Sequence, residues 1–258
     1  MLHVVTGLPA WAVWLGGAAI AVVYACIFYY IFVSPFNLRW RAIFGEPDYP
    51  DDYEVRGIDI SHYQDNISWP KLQDAKIGSS PLRFIIIKAT EGEELMDDNF
   101  NENFYLSHKH GFVRGAYHFF VPGKDPLKQA RFFLKQVHLE PGDLPPVLDV
   151  EKKGSLTKAQ LVHDVKVWLN EVEGTYGVKP ILYTGAKFKQ DYLDDKQFDA
   201  YPLWLAHYYV DKPSSDVRWT LWQYTDCGRV SGIKGFVDLN FFSGSIEQFY
   251  SLTLEDIP

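Results

Sequence analysis

Two carboxylates lie two positions apart in the stretch Leu144–Glu151, which reads LPPVLDVE. The apolar residues around them predict a short buried strand. Because side chains alternate along a strand, Asp149 and Glu151 are expected on one face, with their Cβ atoms roughly 6 to 7 Å apart. Like charges that close resist simultaneous ionisation, so one carboxyl is expected to stay protonated near neutral pH. A proton donor beside a carboxylate is suited to cleaving a glycosidic bond. The alternative is a strand end whose acids only face water.

Two further acids, Asp59 and Asp238, occupy other apolar runs of the same kind. An unpaired charge among apolar neighbours is costly, which favours a functional reason for all four acids. Carboxylate clusters also bind Mg²⁺ or Ca²⁺, so a metal-dependent hydrolase is an alternative. No carbonyl-rich or water-rich loop pattern accompanies the acids, and we therefore predict no metal site.

Aromatic residues occur on the same runs as the acids, and aromatic rings can line a groove for sugars. The candidate groove residues are Tyr117, His118, Tyr183, Trp204, Trp222 and Tyr224. For each of them taken singly, packing in a core is the alternative. As a set near the acids, they favour the groove.

The elements that must position these residues follow from the hydrophobic pattern. Eight short apolar runs predict strands at 55–61, 82–89, 113–120, 144–151, 180–184, 203–207, 220–224 and 237–241. Helical spacing predicts helices at 69–77, 99–110, 125–137 and 157–176.

The order of these elements predicts an α/β fold. Strands and helices alternate in the first half of the chain, which is typical of a parallel sheet, and eight strands suit a (β/α)-barrel of TIM type. The segments between the last strands are too short and polar for crossover helices. The prediction is therefore an irregular barrel with five well-formed units and degenerate last ones, whose chemistry lies at the C-terminal ends of the strands.

Residues 8–36 are almost continuously apolar and exceed the length of about 20 residues that spans a bilayer. We predict a short N-terminal tail at 1–7, an uncleaved transmembrane anchor at 8–36 and an acidic, proline-containing juxtamembrane linker at 37–54. A cleavable signal peptide would carry a basic start and a shorter apolar run. Two further interpretations of the apolar run are a buried core helix and a segment lipidated at Cys26.

Composition excludes some classes of partner. The net charge is −8 and no basic stripe is present, which argues against nucleic-acid binding. The two cysteines, Cys26 and Cys227, lie in different segments and predict neither a disulfide framework nor a zinc site. Oligomeric state leaves no signal in the sequence.

Residues 55 to about 250 resemble glycoside hydrolase family 25, the lysozymes (N-acetylmuramidases) related to the Chalaropsis enzyme. The matching motifs occur in the family's order: Gly57–Ser61 with Gln64, Phe84–Gly92, Gly115–Phe119, Leu148–Glu151, Tyr183–Thr184, Trp222–Tyr224 and Val237–Asp238. The resemblance implies a glycoside hydrolase barrel over residues 55–258. Its implied reaction is hydrolysis of the β-1,4 bond between N-acetylmuramic acid and N-acetylglucosamine in peptidoglycan, without a cofactor.

The resemblance also implies roles for the four acids. Glu151 would be the general acid, and Asp149 would orient the acetamido group of the substrate as that group attacks the anomeric carbon, with net retention. Asp59 and Asp238 would complete the acidic floor of the site. A descendant of the same barrel that binds glycan or scaffolds wall machinery without catalysis is the alternative.

The implied substrate bears on where the domain lies. Peptidoglycan is outside the bacterial cytoplasmic membrane, so a single-pass anchor would have to present the barrel to the cell wall or periplasm. Arg39 and Arg41 follow the apolar run, and the positive-inside rule taken alone favours the opposite orientation. We give the implied function precedence over two arginines.

Overall fold

The computed structural model describes residues 16, 20–26, 50, 52–208 and 210–255. The chain divides into two units, Met1–Pro47 and Asp48–Pro258. In the first unit, residues 20–26 are helical, and most of the predicted anchor and of the predicted linker lies outside the described residues. None of the helices among the described residues combines the length and the apolar character needed to cross a membrane.

The second unit contains ten strands, and their bounds follow the apolar runs of the sequence. They are β1 Arg56–Ile60, β2 Lys76–Ile77, β3 Ser80–Glu91, β4 Leu95–Met96, β5 Val113–Phe119, β6 Val147–Asp149, β7 Ile181–Gly185, β8 Leu203–Ala206, β9 Leu221–Gly228 and β10 Val237–Phe242. Eight of them are the predicted strands. The short β2 and β4 are additional and pair only with the two ends of β3.

The eight strands other than β2 and β4 close into a barrel. Their order is β1-β10-β9-β8-β7-β6-β5-β3, and β3 pairs with β1 to complete the ring. All neighbouring pairs from β1 through β3, β5, β6, β7 and β8 to β9 are parallel. The predicted α/β barrel is confirmed.

Alternation along the strands separates an interior cluster from an outer one. Inward positions form a small core inside the barrel, and outward positions form a larger core beneath the helices. Gly57 lies in β1 where the ring of Phe84 fills the interior, and a Cβ atom at Gly57 would come within 2.3 Å of that ring. The glycine therefore lets the Phe84 ring lie against β1 inside the barrel.

Helices surround the barrel, and the last of them packs Phe249 against Phe84 of the interior core. They are α1 Trp69–Gln73, α2 Phe100–Lys109, α3 Pro126–Gln136, α4 Lys158–Tyr176, α5 Ala186–Phe188 and α6 Ile246–Tyr250. The longest, α4, begins with a capping box between Thr157 and Gln160 and ends at Gly177, whose φ of 71° is left-handed. These end signals are the reason its bounds agree with the sequence-based prediction.

The first predicted helix, 69–77, was too long. α1 ends at Gln73, and Lys76–Ile77 instead form β2, which pairs with the start of β3. Gly78 has a φ of 58°, which permits the tight turn between the two strands. Pairing with β3 therefore overrides the helical pattern at Lys76 and Ile77.

The last units are irregular, as predicted. The described residues between β8 and β9 contain no helix, and β9 is followed directly by β10 in an antiparallel pair. β10 is also antiparallel to β1, so it alone runs against the other strands of the ring. This reversal brings the beginning of β10, at Asp238, to the same end of the barrel as the C-terminal ends of its neighbours. Asp238 lies opposite Asp59 in the register.

Candidate active site

A cavity of about 250 Å³ opens at that end of the barrel, and all four predicted acids line it. Asp59 lies near the end of β1, Asp149 at the end of β6 and Glu151 two residues later, while Asp238 lies at the start of β10. The other lining residues are Ile60, Ser61, Tyr63, Gln64, Lys88, Tyr117, Phe119, Tyr183, Trp204, Tyr208 and Gln223.

Asp59 is a buried carboxylate held by two amide donors. Its Oδ1 accepts hydrogen bonds from Gln223 Nε2 at 2.8 Å and from Asn240 Nδ2 at 2.7 Å. Burial raises the pKa of Asp59 from its ordinary value to about 6, against the opposing effect of the two amides. Near neutral pH the group is therefore ionised.

The two amides are themselves oriented by donors on their oxygen sides. Gln223 Oε1 accepts from Tyr183 OH at 2.8 Å and from Tyr208 OH at 2.5 Å. Trp204 Nε1 donates to Asn240 Oδ1 at 2.8 Å. Because each amide oxygen is already engaged by a donor, each amide nitrogen must point to Asp59. The network thus favours a negative charge at that carboxyl.

Asp238 takes the complementary protonation state. Burial, followed by the charge of Asp59, raises the pKa of Asp238 well above its usual range. The two carboxyls are hydrogen-bonded to each other. The raised pKa of Asp238 favours its protonated form, in which it donates a hydrogen bond to Asp59.

Asp149 is buried without a partner on one of its oxygens. The residue is 6% exposed, and within the described part of the chain its Oδ1 has no hydrogen-bond partner. Burial, and then the charges of Glu151 and Asp59, raise the pKa of Asp149 well above its usual range. A buried polar oxygen without a donor is costly, so a donor on a ligand would be favoured there.

Glu151 is the exposed acid of the group. It lies at the mouth of the cavity, and desolvation by the cavity walls raises the pKa of Glu151. The neighbouring Tyr183 hydroxyl and the charges of Lys152 and Lys88 act in the opposite direction. An accessible carboxyl with a raised pKa is suited to donate a proton to a bound molecule.

Of the six candidate groove aromatics, Tyr117, Tyr183 and Trp204 line the cavity, because they occupy inward positions of β5, β7 and β8. The other three are placed elsewhere. His118, Trp222 and Tyr224 occupy outward positions, beneath the helices or against neighbouring aromatics. They cannot contact a ligand in the cavity.

The outward three have identifiable structural partners. His118 stacks on Trp168 and lies within hydrogen-bond distance of Thr90 Oγ1 and Gln129 Oε1, and burial lowers the pKa of His118 to about 3. Trp222 Nε1 donates to His207 O, and the Tyr224 ring stacks on Phe241 at 4.4 Å. These contacts are those of packing residues.

The sequence-based selection omitted several residues of the site. Gln223 and Asn240 orient Asp59, Tyr208 holds Gln223, and Lys88 lies in the cavity wall. A signal existed for Gln223 and Asn240, since each is a polar residue at an inward position with an apolar or aromatic residue on either side. Tyr208 follows β8 in a loop, and its position has no periodicity to reveal it.

The geometry of the acids bears on whether they could hold a metal ion. Across the described ranges, no group of three or more His, Cys, Asp or Glu side chains has an arrangement that could hold one. Asp59 is engaged with two amides, and Asp59 and Asp238 are engaged with each other.

Comparison with known proteins agrees with this geometry. The family model described as glycosyl hydrolases family 25 matches residues 58–233. YegX of Escherichia coli strain K12 is 44% identical over 200 residues, which cover 77% of this chain and 73% of YegX. Lysozyme M1 of Streptomyces globisporus is 33% identical over 217 residues, which cover 78% of this chain and 72% of that protein.

A solved structure shows the same likeness in three dimensions. The crystal structure of a bacterial lysozyme from Streptomyces coelicolor superposes with a TM-score of 0.71 at 32% identity, covering 79% of this chain and 98% of the other. Together with the family match over residues 58–233, this confirms the resemblance stated from the motifs. The chain belongs to glycosyl hydrolase family 25.

Proposed function

We propose that the chain is a lysozyme-type N-acetylmuramidase that hydrolyses the β-1,4 bond between N-acetylmuramic acid and N-acetylglucosamine in peptidoglycan. The observation that carries the proposal is the gathering of four carboxyls with raised pKa values at one barrel mouth. Carboxyls held in different protonation states supply an acid and a stabilising anion in one site. The relative named lysozyme M1 supports the substrate class.

In this proposal Glu151 is the general acid. It is the exposed carboxyl of the four, and its raised pKa keeps a proton available. That proton goes to the glycosidic oxygen as the bond to the anomeric carbon breaks. In the second half of the reaction, Glu151 takes a proton from water.

Asp149 is proposed to orient the acetamido group of the substrate. The unpartnered Oδ1 of Asp149 lies beside Glu151 and lacks a donor, which an acetamido N–H supplies. The carbonyl oxygen of that acetamido group then attacks the anomeric carbon, and the attack by water on the resulting ring gives net retention. Accepting this hydrogen bond favours the ionised form of Asp149, so the proton of the pair stays on Glu151.

Asp59 and Asp238 are proposed to form the floor of the site. Their shared proton and two amide donors place one negative charge below Asp149 and Glu151. That charge raises the pKa of Asp149 and stabilises positive charge developing on the sugar ring. Tyr117, Tyr183 and Trp204 supply the cavity wall against which the sugar lies.

The membrane anchor belongs to the same proposal. Its support is the apolar run at residues 8–36, which is long enough to span a bilayer as a helix. A tether of this kind raises the local concentration of the enzyme at a polymeric substrate. The proposed location is the bacterial cytoplasmic membrane, with the barrel facing the cell wall. External protease should then digest the barrel in intact spheroplasts, whereas protection until lysis would contradict this orientation.

The decisive experiment uses the full chain in detergent with purified peptidoglycan. Mass spectrometry of the products should show muramic acid at the new reducing ends, in the presence or absence of EDTA. Glu151→Gln should abolish the release, whereas Glu102→Gln, on the exposed face of α2, should not. Binding without cleavage by the wild type would identify a glycan-binding protein, and loss of activity with EDTA would identify a metal-dependent hydrolase.

A further inference from the structure

The loop after β1 presents an exposed aromatic ring at the edge of the cavity. A short 3-10 helix, His62–Gln64, follows β1, and its central residue Tyr63 lines the cavity while remaining 81% exposed. The centroid of the Tyr63 ring lies 4.1 Å from that of the His62 ring. A ring at the edge of a polar cavity is placed where a bound ligand could cover it.

The backbone that carries Tyr63 is held at both ends. Ser61 and Gln64 form a capping box, in which Ser61 Oγ accepts from Tyr63 N at 3.3 Å and Gln64 Oε1 accepts from Ser61 N at 2.9 Å. The Nε2 of Gln64 also donates to Phe236 O at 3.3 Å, which connects this loop to the residue before β10. The backbone position of Tyr63 is therefore fixed relative to the two strands that carry Asp59 and Asp238.

A buried carboxylate provides a third attachment. Asp97 Oδ2 accepts from His62 N at 3.0 Å and lies 2.7 Å from His62 Nδ1. The other oxygen, Oδ1, accepts from Asn99 N at 3.1 Å, and the Asp97 side chain is fully buried. His62 thus contacts Asp97 through its backbone N and its Nδ1, and its ring lies against the ring of Tyr63.

The loop also contains backbone strain. Asp65, which directly follows the short helix, has a φ of 45° and a ψ of −127°, and among the described residues it is the one non-glycine with a positive φ. Such a conformation costs free energy and persists where surrounding contacts over-determine it, which occurs often at ligand-binding loops. Ordinary packing gives no reason for this strain, because both Tyr63 and Asp65 are exposed.

We propose that Tyr63 is a substrate-contacting residue whose ring forms a platform for one sugar of the glycan strand, with His62 and Asp97 as its positioning residues. This inference rests on the proposed function. An aromatic ring offers an apolar face with little conformational freedom to lose, which suits the C–H face of a pyranose. The phenolic hydroxyl stays in water and is not needed for the stack.

The position of Tyr63 in the barrel determines which kinetic constant it affects. β3 and β5 lie between β1 and β6 in the ring, so Tyr63 lies across the mouth from Glu151. The platform therefore holds a sugar away from the oxygen that Glu151 protonates. Its contact is equal in the ground state and the transition state, and such uniform binding lowers KM without changing kcat.

The test compares Tyr63→Ala, Tyr63→Phe and Tyr63→Trp in the full chain on glycan strands freed of peptide. Tyr63→Ala should raise KM about tenfold, the effect of losing one good contact, with kcat within about twofold. Phe and Trp should restore KM to within about threefold of the wild-type value, because they keep the ring. The matched control is Tyr105→Ala, which removes a tyrosine that is 62% exposed on α2 and should leave both constants unchanged.

Each other outcome has a definite meaning. An unchanged KM in Tyr63→Ala, or a KM that Phe fails to restore, would overturn the platform. A fall in kcat with constant KM would also overturn it, because the residue would then act on the reacting bond. If the wild type cleaves nothing, the proposed function fails, and co-sedimentation with glycan tests the platform alone: weaker binding by Tyr63→Ala supports it, and equal or absent binding overturns it.

Discussion

Asp59 and Asp238 face each other across the antiparallel pair of β1 and β10, and they share a hydrogen bond at the floor of the cavity. The amides of Gln223 and Asn240 favour the ionised form of Asp59, whereas burial and the charge of Asp59 raise the pKa of Asp238. Two chemically identical side chains thus differ in their affinity for a proton because their partners differ.

The stability of the protein is expected to fall as the pH rises past the pKa of Asp59. Burial raises that pKa from 3.8 to about 6, so the folded state keeps a proton that the unfolded chain releases near pH 4. The stabilisation is complete below pH 4 and is lost as the pH rises through about 6. Urea unfolding at several pH values should show that wild type loses up to about 3 kcal/mol relative to Asp59→Asn between pH 4 and 7.

The same variant removes the Asp59 charge that raises the pKa of Asp238, which acts in the same direction. Asp199→Asn, at an exposed aspartate outside this cavity, is the control and should follow the wild-type pH dependence. If the free energies of unfolding of wild type and Asp59→Asn change with pH in the same way, Asp59 does not have a raised pKa in the folded state.

The charge of Lys152 is expected to affect the pH above which activity falls. Its charge, together with that of Lys88, lowers the pKa of Glu151 against the effect of burial. Lys152→Gln should therefore raise the pKa of the general acid and move the alkaline limb of the kcat profile to higher pH, by a few tenths of a unit because the lysine is exposed.

Lys158→Gln, at the start of α4, is the control for the change in net charge and should leave the profile in place. High salt should reduce the difference between Lys152→Gln and wild type. A shift to lower pH in Lys152→Gln would mean that the lysine does not act through Glu151.

Gln223→Met should cost both stability and activity. Methionine matches the length of glutamine but removes the oxygen that accepts from Tyr183 and Tyr208 and the nitrogen that donates to Asp59. A hydrogen bond of this kind contributes about 0.5 to 1.5 kcal/mol, so the loss of three should lower the free energy of unfolding by about 2 to 4 kcal/mol. Activity should fall at least tenfold at pH 7, since Asp59 loses part of its support.

The control for this change is Gln197→Met, at an exposed position of the short 3-10 helix Lys196–Phe198. Thermal and urea unfolding measure both variants. If Gln223→Met is as stable as the wild-type protein, the hydrogen-bond network does not stabilise the barrel.

Asp65→Gly should stabilise the protein by about 1 kcal/mol. Glycine adopts the backbone angles of Asp65 without strain, and this gain of about 1 to 3 kcal/mol exceeds the loss of about 0.5 to 1 kcal/mol from a more flexible unfolded chain. Thermal unfolding should show a higher Tm than wild type. Asp65→Ala tests the explanation, because alanine keeps the strain and should show no gain.

The barrel could be predicted from sequence because its strands are apolar runs bounded by clear turn residues. α4 could be predicted with its ends because Thr157, Gln160 and Gly177 satisfy its terminal backbone groups. β2 could not, since a two-residue strand depends on pairing with β3 rather than on its own pattern. Long-range pairing of this kind leaves no local signal.

The four acids could be predicted because charged residues stand out in apolar strands. The groove aromatics were harder, since an aromatic residue suits both faces of a barrel strand. Strand alternation separates Tyr117 from His118 once Asp149 and the other acids define the inward face. Tyr208 and Tyr63 lie outside the strands, where alternation does not apply. Tyr208 is held by Gln223, and the position of Tyr63 depends on the contact of its neighbour His62 with Asp97.

The reversal of β10 has a consequence for how the molecule is made. Asp238 comes from the last strand of the ring and Asp59 from the first, so the floor of the cavity exists only after almost the whole domain has been synthesised. An emerging chain carries Asp149 and Glu151 long before their supporting pair is complete. The acidic floor of the site is therefore complete only when β10 has closed the ring between β1 and β9.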